Sequence, residues 1–134
     1  MPILLVDSEA PPKPGQTSWQ HLAVEDRWKK PQEVRDGQVF LMVQLMEAWF
    51  VADPDALKAF FGSGFSGNPF RNWTKPETIE KPRVLDALST ATRDCRVQFK
   101  KGKVAFEVLA RIDPAKVTAA CPHAKHLVDR LRSV

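Results

Sequence analysis

Two short apolar runs, Pro2-Ile3-Leu4-Leu5-Val6 and Val39-Phe40-Leu41-Met42-Val43-Gln44-Leu45-Met46, carry the strand signal of this chain, and the remainder reads as helix and loop. A continuous, partly β-branched run is the pattern of a strand covered on both faces, as in parallel α/β sheets. Two strands alone make no stable sheet, so both runs need further strands, on this chain or on a partner. The chain also opens directly on a run of central-strand character. The expectation is therefore an α/β domain, residues 1–134 as a single unit, that lacks a strand–helix unit upstream and exposes an apolar edge favouring self-association.

Composition narrows the class. A chain of 134 residues with 43% hydrophobic and 27% charged residues has globular proportions and room for one core. No apolar run approaches the ~20 residues that span a bilayer. Met1–Val6 has neither a basic flank nor a small-residue cleavage site, so it is not a signal peptide. Cys95 and Cys121 are too few for a disulfide framework or a Cys-rich zinc site, which makes a reducing cytoplasm the default compartment.

The net charge of +4 hides a strong asymmetry. Residues 1–70 hold 6 basic and 9 acidic side chains, net −3, and residues 71–134 hold 14 basic and 7 acidic, net +7. Arg93 to Lys103 alone carries five positive charges and one negative.

Proline and aspartate punctuate the helices. The Pro11-Pro12-Lys13-Pro14-Gly15 stretch cannot continue a ladder, Ser18 to Leu22 suits a helical turn, and Lys30-Pro31 breaks the chain again. Asp53-Pro54 is an N-cap followed by proline at the first helical position, with Gly62 as the stop. Gly62 to Pro76 is a long surface loop. Lys81-Pro82 opens a helix with Val84, Leu85, Leu88 and Ala91 on one face. Val104, Val108 and Ile112 predict a helix over 104–112. Asp113-Pro114 caps a short helix to Ala120, and Pro122 opens the last, with Leu127, Val128 and Leu131 as its apolar side.

Asp7 and Glu9 come just after the first run. Residues i and i+2 of an extended chain point the same way, and sites in open α/β sheets form beyond the carboxyl ends of strands. Two such carboxylates suit Mg²⁺, which takes one or two of them plus waters and phosphate oxygens. A solvated turn after a strand produces the same pair, and by spacing alone is the commoner origin of it. Glu47, at the end of the second run and flanked by Met46, Ala48, Trp49 and Phe50, needs a partner or a role. It reaches the same place if the two strands are parallel neighbours. A metal held there would activate water at a phosphodiester.

Lys100, Lys101 and Lys103, with Gly102 between them, suit phosphate contact, although most charge runs of this kind are solvated loops. Trp19, Trp28 and Trp73 pin loops to the core more often than they stack on bases, and Trp49 reads as core. His21, His123 and His126 are the candidate ligands or bases, but the His123/His126 pair on the last helix has no visible third ligand for a metal, so it reads as a surface face. Cys95 and Cys121 read as small apolar packing groups. The Gly62-Ser63-Gly64-Phe65-Ser66-Gly67 stretch lacks the lysine and the preceding strand of a phosphate loop.

The words Leu4-Leu5-Val6-Asp7-Ser8-Glu9, Met46-Glu47-Ala48-Trp49-Phe50-Val51-Ala52-Asp53 and Phe106-Glu107-Val108-Leu109-Ala110-Arg111-Ile112-Asp113-Pro114 together resemble a bacterial family, domain-of-unknown-function family 4276, from residue 3 to about residue 131. That family looks like a divergent Toprim-type domain, the α/β module of topoisomerases, primases and OLD-type nucleases. The resemblance implies a Toprim-like, mostly parallel sheet flanked by helices. It also implies Mg²⁺ held by Asp7 and Glu9 in the place of a D-x-D element, with Glu47 and Trp49 in the E-x-W word and Lys101 and Lys103 in a basic segment. Glu9 departs from the second aspartate of that element. The resemblance further places a strand and a glutamate-bearing turn ahead of Met1, and that glutamate, the proposed general acid/base, has no match here. Two functions are expected on this basis. One is a Mg²⁺-dependent nuclease or nucleic-acid-processing component of a phage-defence system. The other is a non-catalytic accessory subunit of a partner ATPase, which the missing glutamate favours for this chain alone.

Overall fold

The computed structural model describes residues 3–25, 27 and 35–133, and among these the chain is a mixed α/β fold with one small sheet and seven α-helices. Pro2, Trp28 and the Lys30-Pro31 break lie outside the described residues. Strand β1 (Leu4–Asp7) pairs in parallel with β2 (Val39–Met42), with Leu4 opposite Val39 and Asp7 opposite Met42. The parallel placement is the condition for Glu47 to approach Asp7, and it is met. Among the described residues the sheet has these two strands alone.

Both strands depart from their apolar runs. β2 ends at Met42, four residues before the run does, because the chain turns through Val43–Met46 into α2 (Ala48–Val51). Glu47 therefore sits at the entry of a helix and not at a strand end. β1 is not covered on both faces. Leu4 is 39% exposed and Leu5, Val6 and Asp7 are half-buried, whereas Val39, Phe40 and Leu41 are buried. Beneath the sheet, α1 (Ser18–Glu25) supplies Trp19 and Leu22 to a core with Val39, Leu41 and Val43, so Trp19 is a pin, as expected.

The helices obey their punctuation. In α3 (Pro54–Phe61) the Asp53 carboxylate accepts the Ala56 N–H at 3.2 Å and Gly62 ends the helix at φ 70°. The loop from Gly62 to Pro76 contains a 3₁₀ turn at Asn68–Phe70 and runs into another at Pro76–Thr78. Its glycine-rich start is a packing device. Gly64, at φ 93°, lies against the Asp94 backbone where a Cβ would collide. In α4 (Lys81–Ala91), Val84, Ala87, Leu88 and Ala91 are buried. The next helix, α5 (Lys103–Leu109), stops three residues before Ile112. There the chain turns so that Asp113 can cap α6 (Pro114–Ala120) with its own carboxylate on Ala115 N–H at 2.9 Å. Leu127 of α7 (Pro122–Arg132) is buried and Val128 half-buried, but Leu131 is 52% exposed and not part of the packed side.

The main core joins Leu45, Phe50, Leu57, Phe61, Phe70, Val84, Leu88 and Val108, contributed by the turn into α2, by α2 to α5 and by the loops between them. Cys95 and Cys121 are buried, as apolar packing groups are. Cys95 and Phe99 anchor the basic segment, and the Phe99 N–H donates to Thr92 Oγ1 at 2.8 Å. No helix among the described residues is long and apolar enough to cross a membrane.

Candidate functional site

The carboxyl ends of β1 and β2, the turn into α2 and the turn before α5 enclose an open groove of about 480 Å³. Asp7, Glu9, Glu47 and Lys101 line it, with Met42, Met46 and Phe106 as apolar walls. The structure thus brings the three carboxylates singled out in the sequence to one place, together with one of the three lysines. Lys100 and Lys103 are exposed and do not line the groove.

Each acid is held differently. Asp7 ends β1, and its Oδ1 accepts the Met46 N–H at 2.8 Å, which ties the turn after β2 to the end of β1. Burial raises the pKa of Asp7. The Met46 hydrogen bond and the charges of Lys101 and Lys81 partly offset this, and Glu9 adds to it. Glu9 does not continue the strand. Its φ of 64° is left-handed, so the chain is not extended through residue 9 as the spacing argument supposes, although both side chains line the groove. The Glu9 N–H still donates to Gln44 O at 2.7 Å, while its carboxylate forms an ion pair with Lys81. Glu47 is 3% exposed. Its Oε1 lies 3.9 Å from Lys101 Nζ, and its Oε2 is buried with no hydrogen-bond partner.

Lys81 is the site residue that sequence reasoning missed. It stands 72 positions from Glu9, and nothing local announces the pairing. The Glu9 contact raises the pKa of Lys81, burial opposes it less strongly, and the charges of Glu9, Asp7 and Glu47 add smaller upward contributions. One signal was available. A lysine at the first position of a helix opposes the helix dipole and asks for a reason.

Ser8, between the two acids, is fully buried and its Oγ has no partner, nor has the nearby Gln44 Nε2. The Ser8 carbonyl accepts a hydrogen bond from His21 Nε2 at 2.7 Å, so the buried His21 braces the strand end. His123 and His126 are exposed on α7, His126 edge-on to Phe40. Trp73 is half-buried beside Phe70, with the Arg83 guanidinium 5.4 Å from its ring centre. Trp49 is half-buried and not fully enclosed.

The donor set of the groove is all carboxylate oxygen, which suits a hard divalent cation. The buried, unpartnered Oε2 of Glu47 is the atom such an ion would satisfy. Among the described residues no three His, Cys, Asp or Glu side chains converge closely enough to hold one ion. Glu9 is turned to Lys81 instead, leaving Asp7 and Glu47, the number of carboxylates that Mg²⁺ accepts when waters complete its shell.

No curated protein and no solved structure matches the chain. A family model matches residues 1–132 and is described as a domain of unknown function, DUF4276. It spans the acidic groove, the basic segment and the whole of the last helix. On that match, the chain belongs to the DUF4276 family.

Proposed function

We propose that the groove binds a divalent cation and serves phosphodiester chemistry on nucleic acid, within a Toprim-like arrangement of strand ends, as a nuclease-type component of a bacterial defence system. The observation that carries this reading is Glu47, a carboxylate buried at 3% exposure whose Oε2 has no partner, beside Asp7 in a groove that also presents Lys101. A buried charge left this way costs stability and is retained where it has work to do.

Asp7 and Glu47 supply the ion's oxygen ligands, and Glu9 is the third carboxylate within reach of the groove. A bound Mg²⁺ supplies charge stabilisation at a phosphoryl oxygen and a more acidic water. Lys101 positions a phosphate over the acids, and Gly102, at φ 91°, lets the backbone approach it. Lys100 and Lys103 extend the positive field along the approaching strand. The test is Mg²⁺- or Mn²⁺-dependent cleavage of DNA by the full-length protein against Asp7→Ala. Loss of cleavage in the variant is expected, and equal activity in both removes the metal role from Asp7.

A second reading is favoured by the ion pairs themselves. Lys81 and Lys101 already face Glu9 and Glu47, as in a groove whose charges are internally matched. On that reading the chain is an accessory subunit of a partner ATPase. It then binds no Mn²⁺ and cleaves nothing, while Asp7→Ala leaves its association with the ATPase intact.

A further inference from the structure

Lys81 opens α4, an 11-residue helix, at the end where positive charge is least favourable. Its ammonium is nonetheless drawn to Glu9, with the lysine side chain only 33% exposed. Glu9 meets it from a left-handed backbone at φ 64°, a conformation that costs a non-glycine residue free energy. Across the same groove Glu47, with its side chain 4% exposed, keeps Oε2 unpartnered. Glu9 is thus occupied by a cation built into the chain, while Glu47, paired only loosely to Lys101 at 3.9 Å, carries a buried oxygen with nothing bonded to it.

We propose that Lys81 is a tethered cation that competes with a divalent ion for Glu9. In the metal-free protein it draws Glu9 out of the ligand set. An ion held by Asp7 and Glu47 gains Glu9 as a third ligand only by displacing the Lys81 ammonium. The competition keeps the site weak for free cations and makes its affinity depend on a residue that never touches the ion. This inference rests on the metal reading of the groove.

The test is a direct Mn²⁺ titration of the full chain, read by loss of the free-ion electron paramagnetic resonance signal. It compares wild type, Lys81→Met, Glu9→Gln and the double variant. Lys81→Met is expected to bind Mn²⁺ about tenfold tighter at low ionic strength. Glu9→Gln is expected to weaken binding about tenfold or more in the Lys81→Met background but no more than about threefold in wild type. Lys81→Arg keeps the wild-type affinity, and Lys81→Gln replaces Lys81→Met if the latter does not melt cooperatively. Equal costs of Glu9→Gln in both backgrounds would overturn the competition and leave Lys81 as a simple nearby charge. Unchanged Mn²⁺ affinity in Lys81→Met, with weaker binding of a short single-stranded oligonucleotide, would overturn it in favour of a phosphate contact. Absence of Mn²⁺ binding in all four chains would overturn the metal reading and this inference with it.

Discussion

Asp53 and Glu47 lie six positions apart and are equally buried, at 2% and 3% exposure, yet they are held in opposite ways. Asp53 accepts the Ala56 N–H at 3.2 Å, the Asp113 N–H at 2.8 Å and the Lys116 ammonium at 3.3 Å. It caps α3 and locks the start of α6 to it. Burial pushes its pKa up, but these donors outweigh burial and hold it below the usual carboxylate range. Glu47 has one loose ion pair at 3.9 Å and an oxygen with no partner. The same degree of burial thus marks a structural joint at one acid and an open valence at the other. What separates them is the supply of donors.

The contrast breaks first at Asp53. Asp53→Ala removes the α3 cap and leaves the Asp113 N–H without its acceptor. The expected loss is about 3 kcal/mol of stability, summing a cap and an orphaned donor. That corresponds to a fall in Tm of about 10 °C, measurable by circular dichroism. A loss below about 1 kcal/mol would mean that water replaces the joint without cost.

Glu47→Gln is expected to act in the other direction. It removes a buried charge that lacks adequate partners, so the protein gains about 1 kcal/mol in urea denaturation while losing Mn²⁺ binding. A destabilised variant would show that the Lys101 pair carries stability, and Glu47 would then join Asp53 as a structural acid.

The smallest effect is a pH dependence at Asp7. Its folded-state pKa lies above the ordinary value of 3.8, so the native state holds this proton more tightly than the unfolded chain does. Stability from this group therefore falls as pH rises from the ordinary value through the folded one, and the penalty is fully present at neutral pH. Asp7→Asn keeps an oxygen for the Met46 N–H and removes the charge. It is expected to be more stable than wild type at about pH 7, by less than about 1 kcal/mol, with the gap closing at about pH 4. Asp53 runs the opposite way, since its contribution is lost as pH falls through its lowered folded value. A gap between Asp7→Asn and wild type that is constant across this range would remove the burial penalty from Asp7.

Local chemistry made much of the fold legible. Asp53-Pro54 and Asp113-Pro114 announced α3 and α6 because a cap and its donor are two or three residues apart. Gly62 ended α3 because the turn there needs a positive φ. The end of β2 at Met42 was not legible. The apolar run continues to Met46 because Val43 and Leu45 are buried in turns as deeply as they would be in a strand. Burial rewards apolar residues without regard to backbone conformation.

Neighbouring residues, then, were enough to mark α3, α4, α6 and α7 and where they start, but not α2, whose residues continue an apolar run. They also marked the carboxylates after both apolar runs and the gathering of cations near residues 93–103. Within such short stretches, spacing sets geometry. Three features of the groove emerge only in the folded chain: Glu9 leaves the strand through a left-handed backbone, Lys81 crosses 72 positions to meet it, and Lys101 enters the groove while Lys100 and Lys103 stay outside. Such pairings depend on how packed elements place their ends, and no local pattern encodes the distance between two charges on different elements.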